Sequence, residues 1–144
     1  MSADAPAGSL TLTGRARLLR GLLTALAAYA GAIGAYAVLA PHAFYVNVVG
    51  VDLLGRYNQH LTTDVGGLYL GFAMLFAWGA VTLGRELGRA AAAAFTLVQA
   101  IHLGYHLTHL EPFTVATGVE EIAALLPLLA LPVLVVILTA KVSR

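Results

Sequence analysis

Long apolar stretches constrain this chain more than any other feature. Four of them, at about residues 18–40, 59–83, 90–110 and 119–140, each match the roughly 20 helical residues that cross a bilayer core about 30 Å thick. Apolar residues make up 60% of the 144 positions and charged residues 10%, whereas a soluble domain has about 25% charged residues. The stretches therefore predict an all-α integral membrane protein.

Short connections between the stretches predict an antiparallel, up-down four-helix bundle. We expect a single transmembrane domain over residues 15–144, preceded by a disordered tail at 1–14, where the chain is small, polar and contains Gly and Pro. Segment 41–58, which follows the first stretch, mixes aromatic and polar residues and predicts an irregular or short amphipathic piece at the membrane surface.

The basic residues predict how this bundle is oriented. Seven of them would lie on one side and only Arg56 on the other; the seven are Arg15, Arg17, Arg20, Arg85, Arg89, Lys141 and Arg144. Because basic residues concentrate on the cytoplasmic side, we expect both termini in the cytoplasm and the protein in the inner (plasma) membrane. All five histidines then lie toward the outer half.

A polar stripe runs along the third stretch, in the segment QAIHLGYHLTHLEP. At 100° per residue, His106 lies about 40° from His102, His109 about 20° the other way and Gln99 about 60° away, so all four share one helix face. Ionisable groups inside a bilayer are costly and usually face a cavity, a bundle interior or one another. The stripe therefore predicts a site or a buried polar network.

The second stretch adds two side chains to this prediction. His60 and Asp64 are one helical turn apart at its outer end, and antiparallel neighbours would bring Asp64 toward His106 and His60 toward His109. Imidazoles with a carboxylate form a ligand set for zinc, copper or non-haem iron. The predicted metal ligands are His60, Asp64, His102, His106 and His109. Alternatively, His102 and His106 are predicted to bind a haem cofactor.

Simpler interpretations stay open beside this one. His60 and His109 also suit the membrane interface, Asp64 suits the first turn of a helix, and Thr117 with Glu120 three residues later predicts a capping box at the start of the fourth stretch. The deep polar residues would also serve as a hydrogen-bond network that fixes helix register.

Composition excludes several classes of function. The chain has no cysteine, which excludes disulfides, thiolate catalysis and iron–sulfur clusters. No basic patch predicts a nucleic-acid partner. No zincin, phosphate-loop or Ser/His/Asp pattern is present, so whether the protein is an enzyme stays open, with an intramembrane isomerase or hydrolase as one alternative.

The run Tyr57–Ala73, YNQHLTTDVGGLYLGFA, resembles a segment of uncharacterised small four-span membrane proteins of actinobacteria. In those proteins an Asn-x-His-x-x-x-Asp-Val-Gly run opens the second span, and Asn58, His60, Asp64, Val65 and Gly66 match it. The resemblance implies a four-span topology and draws attention to His60 and Asp64, and it implies no activity.

Three functions compete at this point. The leading hypothesis is a metal or haem site in the outer half of the membrane. The second is a proton- or metal-coupled transporter, which would need a homo-oligomer because four spans are few for alternating access. The third is an accessory or structural subunit of a larger membrane complex. In each of them the lipid bilayer is the first partner.

Overall fold

The computed structural model describes residues 12–140, which form five α-helices. They are α1 (Leu12–Leu39), α2 (Pro41–Asn47), α3 (Gln59–Thr82), α4 (Arg85–Thr108) and α5 (Val115–Ala140). Helix α1 takes in the last three residues of the predicted tail, while residues 1–11 lie outside the described range. The segment expected to lie at the surface contains α2 followed by an irregular loop to Asn58.

The prediction of a four-span, four-helix bundle is wrong. In the described range only three helices, at Gly14–Leu39, Gln59–Thr82 and Val115–Ala140, are long and apolar enough to cross a membrane. Helix α4 is 24 residues long, as α3 is. However, the charged first turn of α4 and its polar stripe lower its mean hydropathy. The predicted orientation, with both termini in the cytoplasm, depended on four crossings and is therefore withdrawn together with the four-span prediction. The chain is a membrane protein with three candidate spans.

The start of α3 agrees with the prediction to the residue. Asn58 lies just before the helix in extended conformation, and its Oδ1 accepts a hydrogen bond from the backbone N–H of Leu61 at 3.1 Å. Asparagine is among the best residues for this position because its side chain pairs an otherwise unsatisfied helix donor. The connection between α3 and α4 is shorter than the gap between the predicted stretches at 59–83 and 90–110, since only Leu83 and Gly84 lie outside the helices.

The start of α5 corrects the predicted capping box. Thr114, not Thr117, precedes the helix, and Thr114 Oγ1 accepts from the Thr117 N–H at 3.2 Å while Thr117 Oγ1 accepts from the Thr114 N–H at 3.0 Å. This reciprocal pair starts the helix four residues earlier than predicted. Glu121 consequently lies well inside α5, where its side chain is buried.

Helix α1 packs most extensively against α3, and the two cross at paired glycines. A Cβ at Gly34 would lie 2.7 Å from the carbonyl oxygen of Gly66, and a Cβ at Gly66 would lie 2.9 Å from that of Gly34. Only glycine permits backbones this close, as small residues do generally between membrane helices. Gly67 and Gly71, on the same helix, have no neighbour within 4 Å of such a Cβ.

Helix α4 packs mainly against α5. The two ends of the molecule differ in the side chains that they carry. Arg20 near the start of α1 donates to the carbonyl of Ala80 near the end of α3, and Arg85 at the start of α4 donates to that of Thr139 near the end of α5. We call this the basic end. The opposite end carries α2, the 48–58 loop and the histidines, and we call it the histidine end.

The main core lies toward the basic end. It consists of buried side chains from four helices, and these are Leu19, Leu23, Leu26, Phe76, Ala80, Ala91, Ala92, Phe95 and Val135. The rings of Phe76 and Phe95 are fully buried and meet edge to face with centroids 5.4 Å apart. A smaller cluster of Leu103, Leu125 and Leu128 lies beyond it, and the candidate site follows at the histidine end.

Candidate functional site

Helices α4 and α5 each bury a stripe with three- and four-residue spacing. On α4 the buried residues are Gly88, Ala91, Ala92, Phe95, Gln99, Leu103 and His106. On α5 they are Glu121, Leu125, Leu128, Pro132, Val135 and Thr139. This spacing is that of one face of a helix. Gln99, His106 and Glu121 are therefore polar members of otherwise apolar or small-residue contact faces.

His106 and Glu121 meet where these stripes reach the histidine end. Nδ1 of His106 lies 3.1 Å from Oε1 of Glu121, and the two side chains are only 5% and 7% exposed. The ring N–H is not directed at the carboxylate oxygen, so within the described range Nδ1 has no aligned hydrogen bond. The two groups are therefore in contact, but their hydrogen-bonding capacity is not fully used. A buried donor or acceptor left in this state costs about 1–3 kcal/mol.

Gly50 covers the carboxylate of Glu121 from the loop between α2 and α3. It is buried and has a φ of +81°, which is a conformation that side chains of L-residues disfavour. A Cβ at this position would lie 2.8 Å from Cδ and Oε2 of Glu121. The loop therefore approaches the carboxylate as closely as it does because residue 50 has no side chain.

A cavity of about 420 Å³ adjoins the His106–Glu121 pair, and we call it the His–Glu cavity. Its polar wall consists of Tyr29, Thr62, Tyr69, His102, His106 and Glu121. Its apolar wall consists of Ile33, Phe44, Val48, Val49, Val51, Leu61, Val65, Ala124, Leu125 and Leu128. Ligand pockets have this volume and this mixture of a largely apolar surface with a few convergent polar groups.

A second polar contact lies deeper in the bundle. The hydroxyl of Tyr69 donates to Oε1 of Gln99 at 3.2 Å, whereas Nε2 of the same buried amide has no partner among the described residues. One atom of the Gln99 amide is unpaired in either orientation of the amide, because exchanging its N and O positions only changes which of the two atoms contacts Tyr69. Tyr69 thus connects the wall of the His–Glu cavity with a buried group that is short of a partner.

The structure separates the predicted ligand residues. His60 Nε2 pairs with Asp64 Oδ2 at 3.3 Å on the outer surface of α3, where the side chains are 88% and 57% exposed. His109 is exposed and stacks on Tyr105 with ring centroids 4.0 Å apart. None of these three predicted ligands lines the His–Glu cavity.

The other two predicted ligands do meet at the cavity. His102 and His106 both line it, with ring centroids 4.5 Å apart in an edge-to-face contact. Over residues 12–140 there is no group of three or more histidine, aspartate or glutamate side chains arranged to hold a metal ion. The predicted metal and haem sites therefore stay predictions, with two of the five residues at one place.

Glu121 is the functional candidate that sequence reasoning missed. No role was predicted for it, although the sequence carries a signal for one. Positions 121, 125, 128, 132, 135 and 139 repeat with the four- and three-residue spacing of a buried face, so Glu121 is in phase with the core of its helix. Placing the start of the helix at 119 made this carboxylate look terminal.

Comparisons with known proteins return no match, whether to a family model, to a curated protein or to a solved structure. The resemblance of Tyr57–Ala73 to small actinobacterial membrane proteins accordingly stays a prediction. The geometry of the site carries the functional argument.

Proposed function

We propose that this membrane protein binds a small amphipathic molecule in the His–Glu cavity. Its apolar part would lie among the aliphatic side chains, and its polar group would reach His106 and Glu121. The observation that carries the proposal is a buried, imperfectly paired His–Glu contact in the wall of a largely apolar cavity. The membrane that we propose for its three candidate spans is the inner (plasma) membrane.

The energetics of the pair support a ligand. A hydrogen-bonding group that is removed from water and left unpaired costs about 1–3 kcal/mol, and a partner that pairs with it offsets this cost. The geometry of His106 and Glu121 leaves Nδ1 without an aligned partner. A hydroxyl or amine group from a ligand would complete this arrangement, since it both donates to a carboxylate and contacts an imidazole.

The apolar wall supports a ligand with a hydrocarbon body. Leu61 and Val65 come from the first turns of α3, and Leu125 and Leu128 come from the buried face of α5. These side chains offer dispersion contacts and apolar area, which stabilise binding by about 25 cal/mol per Å² buried. A molecule from the membrane itself has such a body and reaches the cavity without crossing water.

The same geometry gives less support to a metal or a haem. His106 and Glu121 provide two ligands, whereas catalytic zinc sites have three protein ligands. Two imidazoles that clamp a haem must face each other across the porphyrin, but His102 and His106 project from one face of one helix with their rings in edge contact. An organic ligand needs neither arrangement.

The test is the identity of what the protein retains on purification. Protein purified in detergent would be extracted with organic solvent and analysed by mass spectrometry, with elemental analysis of the same sample. We expect one amphipathic species near one equivalent. Ala124→Trp should lower its occupancy about tenfold because the indole fills the cavity. Glu121→Gln should lower it by up to about tenfold because it alters the hydrogen bonding to the ligand, and a hydrogen bond contributes about 0.5–1.5 kcal/mol.

Matched controls lie on the same helix. Ala123 borders a separate groove and not the His–Glu cavity, and Glu120 is exposed, so Ala123→Trp and Glu120→Gln should retain the species. Equal retention by Ala124→Trp would contradict the proposal. A stoichiometric metal that His106→Ala removes, without any organic species, would favour the metal hypothesis instead.

A further inference from the structure

Polar side chains reach the His–Glu cavity from all four long helices. They are Tyr29 from α1, Thr62 and Tyr69 from α3, His102 and His106 from α4, and Glu121 from α5. One hydroxyl group donates a single hydrogen bond and accepts at most two. A ligand with one hydroxyl would therefore leave most of these side chains without a partner, whereas a head with several hydroxyls would pair with groups on more than one helix.

The wall of this cavity does not suit a charged head. Among residues 12–140 no arginine or lysine lines it, so a phosphate or carboxylate head would lie beside Glu121 without a permanent cation, and an unpaired charge is costly to bury. An ammonium head has donors only, and it cannot accept from the ring N–H groups of His102 and His106. An uncharged head avoids both costs.

The wall offers both acceptors and donors to a ligand. The hydroxyl of Thr62 donates to the backbone carbonyl of Asn58 at 2.9 Å, and that of Tyr69 donates to the Gln99 amide at 3.2 Å. Both protons are in use, so these hydroxyls are left as acceptors. Nδ1 of the buried His106 has no aligned partner in the described range. A hydroxyl group suits such a mixture because it both donates and accepts.

The volume of the cavity limits the size of the ligand that it encloses. At about 30 Å³ per water molecule of liquid volume, 420 Å³ corresponds to about 14 water-sized groups. A glycerol head takes about six of these, which leaves room for about eight methylene groups. The aliphatic side chains of the wall suit this part of a chain, and the rest of a longer chain would extend into the bilayer.

We propose that the ligand of the His–Glu cavity is an uncharged lipid whose head carries free hydroxyl groups, as a monoacylglycerol does. This inference rests on the proposed function, because it assigns a chemical class to the amphipathic molecule of that site. The hydroxyl groups would pair with the polar side chains of the four helices. The first part of the acyl chain would lie against Leu125 and Leu128, which line the same cavity.

The test is photolabelling of the full-length protein in phosphatidylcholine vesicles. A monoacylglycerol probe would carry a photoreactive diazirine in its chain near the head, and labelled peptides would be identified and counted by mass spectrometry. Matched probes would keep this chain and replace the head with a methyl ester, a primary amine or a phosphate. We expect the glycerol head to label the cavity peptides of α3 and α5 at least about fivefold more than each other head, which is the effect of one net hydrogen bond.

Tyr29→Phe tests the hydroxyl contacts with little change in the shape of the wall. It should lower labelling by the glycerol probe about fivefold and should affect the methyl ester less, because the ester has fewer hydrogen-bonding groups in its head. Tyr105→Phe is the matched control, since Tyr105 is exposed on α4 and does not line the cavity. Equal losses of glycerol-probe labelling from the two substitutions would overturn the proposal.

Ala124→Trp distinguishes a failure of this inference from a failure of the proposed function. A preference for the glycerol head that Ala124→Trp removes supports both. If a methyl ester, amine or phosphate probe labels the native protein as strongly and Ala124→Trp abolishes that labelling, the cavity binds an amphipathic molecule but the assignment to a hydroxyl-bearing lipid is wrong. If no probe labels the cavity peptides more in the native protein than in Ala124→Trp, both proposals are wrong.

Discussion

Replacing Gly50 with alanine should disturb the candidate site from outside the cavity wall. The new Cβ would have to adopt a φ of +81°, which costs about 1–2 kcal/mol for a residue with a side chain. It would also lie 2.8 Å from the carboxylate of Glu121. The carboxylate must then shift to make room, and forcing an extra carbon into a packed site costs a further 1–3 kcal/mol or so. We expect a total loss of about 2–5 kcal/mol.

The assay is unfolding in mixed micelles, followed by circular dichroism, for a double-mutant cycle with Glu121→Ala. In the Glu121→Ala background the contact with the carboxylate is gone, so Gly50→Ala should cost only the backbone part of about 1–2 kcal/mol. The difference between the two backgrounds measures the coupling between loop and carboxylate. Gly55→Ala in the same loop is the control, because its Cβ would have no neighbour within 4 Å.

Two results would refute this reasoning. An equal loss in both backgrounds would mean that Gly50 acts through its backbone alone and that the loop does not hold Glu121. A loss at Gly55 as large as that at Gly50 would mean that the loop tolerates no alanine anywhere, whatever it contacts.

Two further predictions use the same unfolding assay. Gly66→Ala should destabilise the protein by about 1–3 kcal/mol, because its Cβ would lie within 3 Å of α1 and force the helices apart, whereas Gly67→Ala, with open space around it, should have little effect. Thr114→Ala should lower the free energy of unfolding by about 1 kcal/mol because it removes the cap of α5, and Thr108→Ala at the end of α4 is its control. If the two variants of either pair lost equal stability, the contact proposed for that pair would be contradicted.

Local patterns predicted the helices well where one signal dominated. The length of the apolar stretches placed α3 and most of α1 and α5, whereas the cap at Asn58 was seen only in the structure. The interval of three and four residues also placed His102 and His106 on one face. These features depend on neighbours within one or two helical turns, which the sequence contains in full.

The partner of His106 was beyond this kind of reasoning. Sequence spacing made Asp64 a candidate because α3 and α4 are adjacent in the chain, yet α4 packs mainly against α5 and brings Glu121 to the imidazole. Two helices with apolar faces can associate in several ways of similar energy, and packing over their whole length decides among them. Asp64 instead lies on the exposed face of α3, where it pairs with His60 one helical turn earlier.

The sequence by itself determined that the chain is helical, that it belongs in a membrane, and that its histidines lie at the end opposite most of its arginines. The tertiary structure decided that α4 packs mainly against α5, that His106 meets Glu121 at a cavity, and that Gly50 packs on the carboxylate. The physical reason is range: hydropathy and capping act within a helix, whereas contacts between side chains far apart in the chain depend on how whole helices pack.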